Sequence, residues 1–218
     1  MKIAMINGSP KLGQNNSGIM LKLFEPFIQA AHEIAQYTIS KEPLTQEQYL
    51  ALLGADALLF AFPLYVEAIP SHLLRMMTAL EKHAKREKKQ GLYVYFIINN
   101  GFYEGTQNRI AVEVLENWCA RCGFRFGMAV CQGAGEMMPA VESMPMGHGP
   151  LKNLGKAMKS LAEAIDNKSC GEAIFISPNW PRFMWKFQSH LFWRNAAKKN
   201  GLNKADIGKL MDNQHAAD

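Results

Sequence analysis

Two stretches constrain the fold more than anything else in the chain: DALLFAF (Asp56–Phe62) and GLYVYFIIN (Gly91–Asn99). Each is apolar through its interior, so a strand built from it has to be covered on both faces. A sheet with one wet face would alternate instead. Helical patterns separate these runs from shorter strand candidates, at Lys2–Asn7, Gln36–Ser40 and Phe124–Cys131. The helices are predicted at Ser17–Glu33 (with Ile19, Leu23, Phe27 and Ala30 near one face), Thr45–Leu53, Ile69–Arg86, Thr106–Cys122 and Leu151–Asp166. Pro70 belongs to the first turn of the third, and Gly123 closes the fourth. Strands alternating with helices at these spacings predict an α/β domain around a five-stranded parallel sheet, with right-handed crossovers.

Ligands of such sheets bind beyond the carboxyl ends of the strands. Three loops rich in glycine, proline and amides follow three of the strands: Gly8–Ser17, Pro63–Pro70 and Asn99–Gln107. A parallel sheet brings all three to one edge. The first runs from a strand into a helix N-terminus, where free N–H groups and the dipole favour an anion. Ser9, Asn16 and Ser17 add short donors, Lys11 a charge, and Gly8 room for the backbone to approach. No Gly-Lys-Ser/Thr closes the loop and no GxGxxG runs through it, which excludes a Walker A site and disfavours a Rossmann one. Asn16 or Ser17 simply capping the helix would use the same donors. Pro63-Leu64-Tyr65-Val66 offers an aromatic and an aliphatic residue beside a rigid proline, and Asn99-Asn100-Gly101-Phe102-Tyr103-Glu104-Gly105 offers amides, flexible backbone and two aromatics. Together they describe a ligand with one phosphate and one large planar polar ring.

In these motifs the chain resembles the flavodoxin-like NAD(P)H-dependent FMN reductase family, over most of its length. Gly8-Ser9-Pro10-Lys11 with Asn16-Ser17 resembles the family's phosphate loop, one residue longer than the tightest versions, with Asn15 as the addition. Phe62-Pro63-Leu64-Tyr65-Val66 followed by Ile69-Pro70-Ser71 resembles the isoalloxazine-side loop. Asn100–Gly105 with Gln107-Asn108 resembles the third flavin loop of one branch. The resemblance implies a flavodoxin-like fold and bound FMN. Ser9, Asn16 and Ser17, with Lys11, would hold the phosphate. Pro63, Leu64, Tyr65, Val66, Asn100, Gly101, Phe102 and Tyr103 would hold the ring, partly through backbone groups. It also implies NADPH or NADH as a transient donor and a small acceptor: a quinone, a nitro or azo compound, free flavin or a metal complex. The alternative within this reading is a flavodoxin-like electron carrier between protein partners. Such carriers usually bear an acidic surface, whereas this chain has a formal charge of +5.

The protein itself then needs no acid, base or nucleophile. His148, between two glycines, is the histidine best placed to reach the site from a flexible loop. Gln132-Gly133-Ala134-Gly135-Glu136 either borders the same pocket or is a turn with positive φ. Cys119 and Cys122 form a C-A-R-C pair near a helix C-terminus, the wrong end for a stabilised thiolate, and read as buried small hydrophobes. No second CxxC completes a zinc site, and no cysteine between 40 and 62 provides for an iron–sulfur centre. Lys82–Lys89 reads as a helix C-terminus and carries no nucleic-acid motif.

Residues 1–170 thus form the expected FMN-binding domain and 171–218 an aromatic, basic extension with a helix at Arg182–Lys199 closed by Asn200-Gly201. That helix is apolar on more than one side and fits its own core, a second subunit or a membrane interface. The family branch with a similar tail favours the first two, and a homodimer is expected. With no signal peptide or membrane span apparent, the expected location is the cytoplasm.

Overall fold

The computed structural model describes residues 1–28, 30, 32–203, 205 and 206. Among the described residues, six strands form one parallel sheet: β1 (Lys2–Asn7), β2 (Glu33–Thr38), β3 (Ala57–Pro63), β4 (Tyr93–Asn99), β5 (Arg125–Gln132) and β6 (Ile174–Ile176). Their order is β2-β1-β3-β4-β5-β6. The helices are α1 (Asn16–Phe24), α2 (Gln46–Leu53), α3 (Ser71–Arg86), α4 (Arg109–Cys122), a single turn α5 (Met138–Val141), α6 (Lys152–Asp166) and α7 (Arg182–Lys199). Helices α1, α5 and α6 pack on one side of the sheet, and α2, α3 and α4 on the other. The chain divides into two compact units, Met1–Asn179 and the segment from Trp180 onward. No helix among the described residues is long and apolar enough to cross a membrane.

The two apolar runs become the central strands, with β3 buried through Ala57–Phe62 and β4 through Val94–Asn99. On the α2–α4 side, Phe60, Phe96 and Phe126 stack across three adjacent strands at 5.7 and 5.5 Å. Trp118 of α4 meets Phe60 edge-on at 6.0 Å, and its indole N–H donates to the Met77 carbonyl at 3.2 Å. On the other side, the Tyr95 hydroxyl donates to the carbonyls of Ala164 and Ser169 at 2.9 and 3.2 Å, tying β4 to the end of α6. Its ring lies where a Cβ on Gly127 would stand, and the β4–β5 register slips by one residue there. Gly123 ends α4 at φ 71°, as expected. The lysine-rich run after Glu81 lies at the end of α3, with Lys85 paired to Glu81 at 2.6 Å.

Three expectations need correction. The first helix stops at Phe24, and Glu25–Phe27 forms a 3-10 turn. Pro26 has no N–H for the helical ladder and its ring obstructs the preceding turn. Ala30 is exposed rather than on the packed face, and residues 29 and 31 of the expected helix lie outside the described residues. The following strand therefore starts at Glu33, pairing along the whole of Lys2–Asn7 from the sheet edge, where half-exposed residues blur alternation. The third correction is a sixth strand. Ile174–Ile176 pairs in parallel with Val130–Gln132 and is too short for periodicity to reveal.

Helix α7 has the bounds read from sequence, with Gly201 at φ 74° just beyond Asn200. Phe183, Phe187 and Leu191 fall one turn apart, while Trp185 and Phe192 lie on another side. It carries five arginines and lysines and no acid. The terminal residues 207–218 of the expected extension lie outside the described residues.

Candidate functional site

Register decides where the loops go. Asn7 pairs with Thr38 and Ala61, Pro63 with Asn99, and Asn99 with Gln132. The carboxyl ends of β1, β3, β4 and β5 are therefore level, and the loops at 8–15, 64–70, 100–108 and 133–137 leave from one edge.

The first loop is held by its own amides. Asn7 accepts from the Ser9 N–H at 3.0 Å through Oδ1 and donates to Asn15 Oδ1 at 3.3 Å. Asn15 Oδ1 also accepts from the Gly18 N–H at 2.9 Å, and Asn15 Nδ2 donates to the carbonyls of Lys11 and Gly13 at 3.2 and 2.9 Å. The N-cap is thus Asn15, neither Asn16 nor Ser17. That leaves the half-buried Asn16 side chain and the exposed Lys11 ammonium without partners among the described residues, at the positive end of a nine-residue helix. Ser9 is buried, with Oγ accepting from the Lys11 N–H at 3.3 Å. Ser17 is completely buried, and Asn99 Nδ2 donates to its Oγ at 3.2 Å. Gly8 answers to packing, since a Cβ there would meet Leu73 of α3 at 2.5 Å.

After β3, the Leu64 N–H donates to the Asn99 carbonyl at 2.8 Å, and Tyr65 and Ala68 exchange backbone hydrogen bonds at 3.0 and 3.1 Å. Between them Val66 and Glu67 both have positive φ, 51° and 59°. This is a primed two-residue hairpin turn made without glycine or asparagine, costly for a β-branched residue. Val66 is 99% exposed, and Tyr65 53%. Pro63 and Leu64 are half-buried at its base.

The third loop is tied to the fourth. Asn100 donates its N–H to the Gln132 carbonyl at 3.1 Å and accepts from the Gly135 N–H at 2.7 Å; the Ala134 N–H donates to the Phe102 carbonyl. A Cβ on Gly133 would collide with the Tyr103 carbonyl, and one on Gly135 would meet Asn99 Oδ1 at 2.6 Å. The residue with positive φ there is Ala134, so both glycines serve close packing against the third loop. Asn100 is buried, Tyr103 half-buried, Gly101 exposed, and Phe102 50% exposed. Asn100 Oδ1, Asn108 Oδ1 and Gln132 Oε1 are buried acceptors without a hydrogen-bond partner among the described residues. A ligand ring with an N–H at this edge would supply a donor such acceptors lack.

Two residues have roles that the sequence reading did not assign: Asn99 reads there only as a loop amide, and Glu142 is not singled out. Asn99, the polar end of an apolar strand, also donates to the Phe62 carbonyl at 3.2 Å and so joins β3, β4 and α1. Its place at the end of GLYVYFIIN was the available signal. Glu142, in the segment after α5, accepts from Gln14 and Lys22 at 2.9 Å each and borders a cavity of about 250 Å³ beside the first loop. Nothing local in the sequence marks that long-range clamp. His148 is exposed in the same segment, between Gly147 (φ 84°) and Gly149 (φ 47°), with Nδ1 3.3 Å from the Met146 carbonyl. Cys119 and Cys122 are buried in α4. Burial pushes both thiols up, Cys122 to about 12, so they remain protonated at neutral pH.

This strand order, with its helices on both faces and a sixth strand beyond β5, is the flavodoxin-like fold. Among solved structures, the chain is similar to an NADPH-quinone reductase from P. pentosaceus, with TM-score 0.53 and 16% identity over 78% of this chain and 99% of that one. A WrbA-like flavodoxin from Agrobacterium tumefaciens matches with TM-score 0.52 and 14% identity, covering 76% and 98%. The apo form of an NADH:FMN oxidoreductase matches with TM-score 0.53 and 17% identity, covering 76% and 87%. No protein-family model and no curated protein sequence matches the chain.

Proposed function

We propose that the chain is an FMN-dependent oxidoreductase of the NAD(P)H-dependent FMN reductase family, moving electrons from NADH or NADPH to a small acceptor. The acceptor classes are a quinone, a nitro or azo compound, free flavin or a metal complex. One observation carries the reading: four level loops meet at one sheet edge, and Asn16 and Lys11 stand uncommitted at the N-terminus of α1. The residues fit FMN at both ends, with those groups for the anion and the unpartnered Asn100 acceptor for the ring.

In this assignment Asn16, Lys11, Ser9 and backbone N–H groups would hold the phosphate at the first turn of α1, where the dipole favours negative charge. Ser17 supports that turn from beneath through Asn99. Pro63, Leu64, Tyr65 and Val66, with Asn100, Gly101, Phe102 and Tyr103, would hold the ring. Bound FMN would supply the redox chemistry, accepting a hydride and passing electrons on. The chain's own part is to fix the ring and to surround it with Tyr65, Val66 and Phe102, whose exposed apolar surfaces exclude water from a stacked partner. Helix α7 is assigned to cover its own domain or that of a second copy in a homodimer.

Purified protein should be yellow, release FMN on denaturation, and bleach rapidly when mixed anaerobically with NADH or NADPH. A flavin reduced only by a partner reductase would instead identify an electron carrier. A colourless protein that refuses added FMN would overturn both.

A further inference from the structure

We propose a second anion site at the opposite edge of the sheet, in the cavity between the C-terminal ends of α3 and α4, for an oligophosphate such as tripolyphosphate or the phosphate tail of a nucleotide. The cavity has a volume of about 420 Å³, within the usual range of small-molecule sites, and is lined by Lys85, Lys88, Lys89, Gln90, Arg121 and Cys122 among others. It lies by the starts of β4 and β5, where the Gly91 N–H donates to the Gly123 carbonyl at 2.7 Å and the Arg125 N–H to the Leu92 carbonyl at 2.8 Å. The loops assigned to flavin leave from the other ends of these strands.

Charge decides the ligand's sign. Four cations line the cavity; of the nearby carboxylates, Glu81 accepts from Lys85 at 2.6 Å and from Arg121 at 2.9 Å, and Glu87 is paired with Arg86, outside the lining, at 3.1 Å. Two helix C-termini oppose an anion with about half a negative charge each. The cations outweigh both terms, leaving about two positive charges. The helix-end carbonyls are also occupied: Ala84 accepts from the Lys89 N–H at 2.9 Å, Lys85 from the Lys88 N–H at 3.3 Å, and Cys119 from the Phe124 N–H at 2.9 Å.

The donors are pre-set. Glu81 is buried and holds Arg121 through one nitrogen, leaving the rest of an exposed guanidinium free to fork onto phosphate oxygens. Lys88 and Lys89 have no ion-pair partner among the described residues. Lys88 stands at φ 52°, in the left-handed position beyond a helix end that glycine usually takes. A lysine there brings its charge to the lining of the cavity, where an anion offsets it.

The test titrates FMN-saturated full-length protein with tripolyphosphate at low ionic strength by calorimetry, against the double variant Lys88→Asn/Lys89→Gln. Wild type should show one saturable site, and the variant should bind at least about tenfold more weakly with thermal stability undiminished, since asparagine suits the left-handed position. Absence of saturable binding, or binding undiminished in the variant, overturns the proposal. So does tighter binding of single-stranded RNA through the same lysines with affinity rising with length, which marks an open polyanion surface. The readout is lysine dependence, so a failure to take up FMN would overturn the flavin reading and leave this test standing.

Discussion

Asn15 and Asn16 are neighbours with the same side chain and opposite duties. Asn15 caps α1 and ties Lys11 and Gly13 into the loop, whereas Asn16 points to no partner among the described residues. Asn15→Ala should cost about 1–2 kcal/mol, a fall in Tm of about 2–8 °C. Asn16→Ala should leave the apo Tm unchanged and weaken FMN binding about tenfold. Equal Tm losses with unchanged FMN affinity would refute the assignment of Asn16 to phosphate. The sequence made Asn7 through Ser17 legible as a polar turn into a helix, but not which amide caps it. A shift of one residue along the chain is invisible until the backbone turns. Asn99 and Glu142 were harder still, because their partners lie far away in sequence: Ser17 for the first, Gln14 and Lys22 for the second.

Among the elements, the hairpin after β3 stores strain that its sequence does not announce. Nothing in Pro63-Leu64-Tyr65-Val66 suggests positive φ, since Asn-Gly is the usual sign of such a turn. The exposed Val66 loses no packing on replacement, so Val66→Asn with Glu67→Gly should stabilise the protein by about 1 kcal/mol, read as a Tm higher by about 2–4 °C. A lower Tm would mean that the turn carries no such cost. The same double change should weaken FMN retention if the valine face is held out for the ring. Strands β3 and β4 were legible because burial on both faces leaves an uninterrupted apolar run. Strand β6 was not, because three residues carry no period. Its place is marked instead by Gly105, where a Cβ would collide with the Cys131 carbonyl and the Ile176 backbone. Gly105→Ala should therefore cost about 1–3 kcal/mol, with amide exchange quickening at Gly133, whose N–H donates to the Ile176 carbonyl at 2.9 Å.

For the whole molecule, stability at acid pH rests on a few charged groups. Hydrogen bonds from Lys168 and the Lys2 N–H hold Asp56 below its ordinary range, and those from Lys85 and Arg121 do the same for Glu81. Each contributes stability that is present above the unfolded carboxylate value of about 4 and is lost as pH falls through the lower folded value. Burial, then Arg75, lowers His72, so its contribution starts to fade earlier, below the unfolded histidine value of about 6.5. Urea midpoints should thus decline in two stages on acidification; Glu81→Gln should flatten the lower stage and His72→Gln the upper. A single unchanged stage in both variants would overturn the assignment. Truncation belongs to this scale too. A chain ended after Asn179 keeps β6 and is expected to retain FMN with altered acceptor preference, while one ended after Ala173 should lose stability as well. Strand order also has a consequence for synthesis. All five longer strands have been made once Gln132 is added, yet the segment that covers the edge of β5 is 44 residues further on. At about 5–20 residues per second, the ribosome leaves that edge bare for roughly 2–9 s. During that interval a neighbouring nascent chain on the same message could donate its own strand, so crowded translation is the condition under which this protein is most exposed to mispairing.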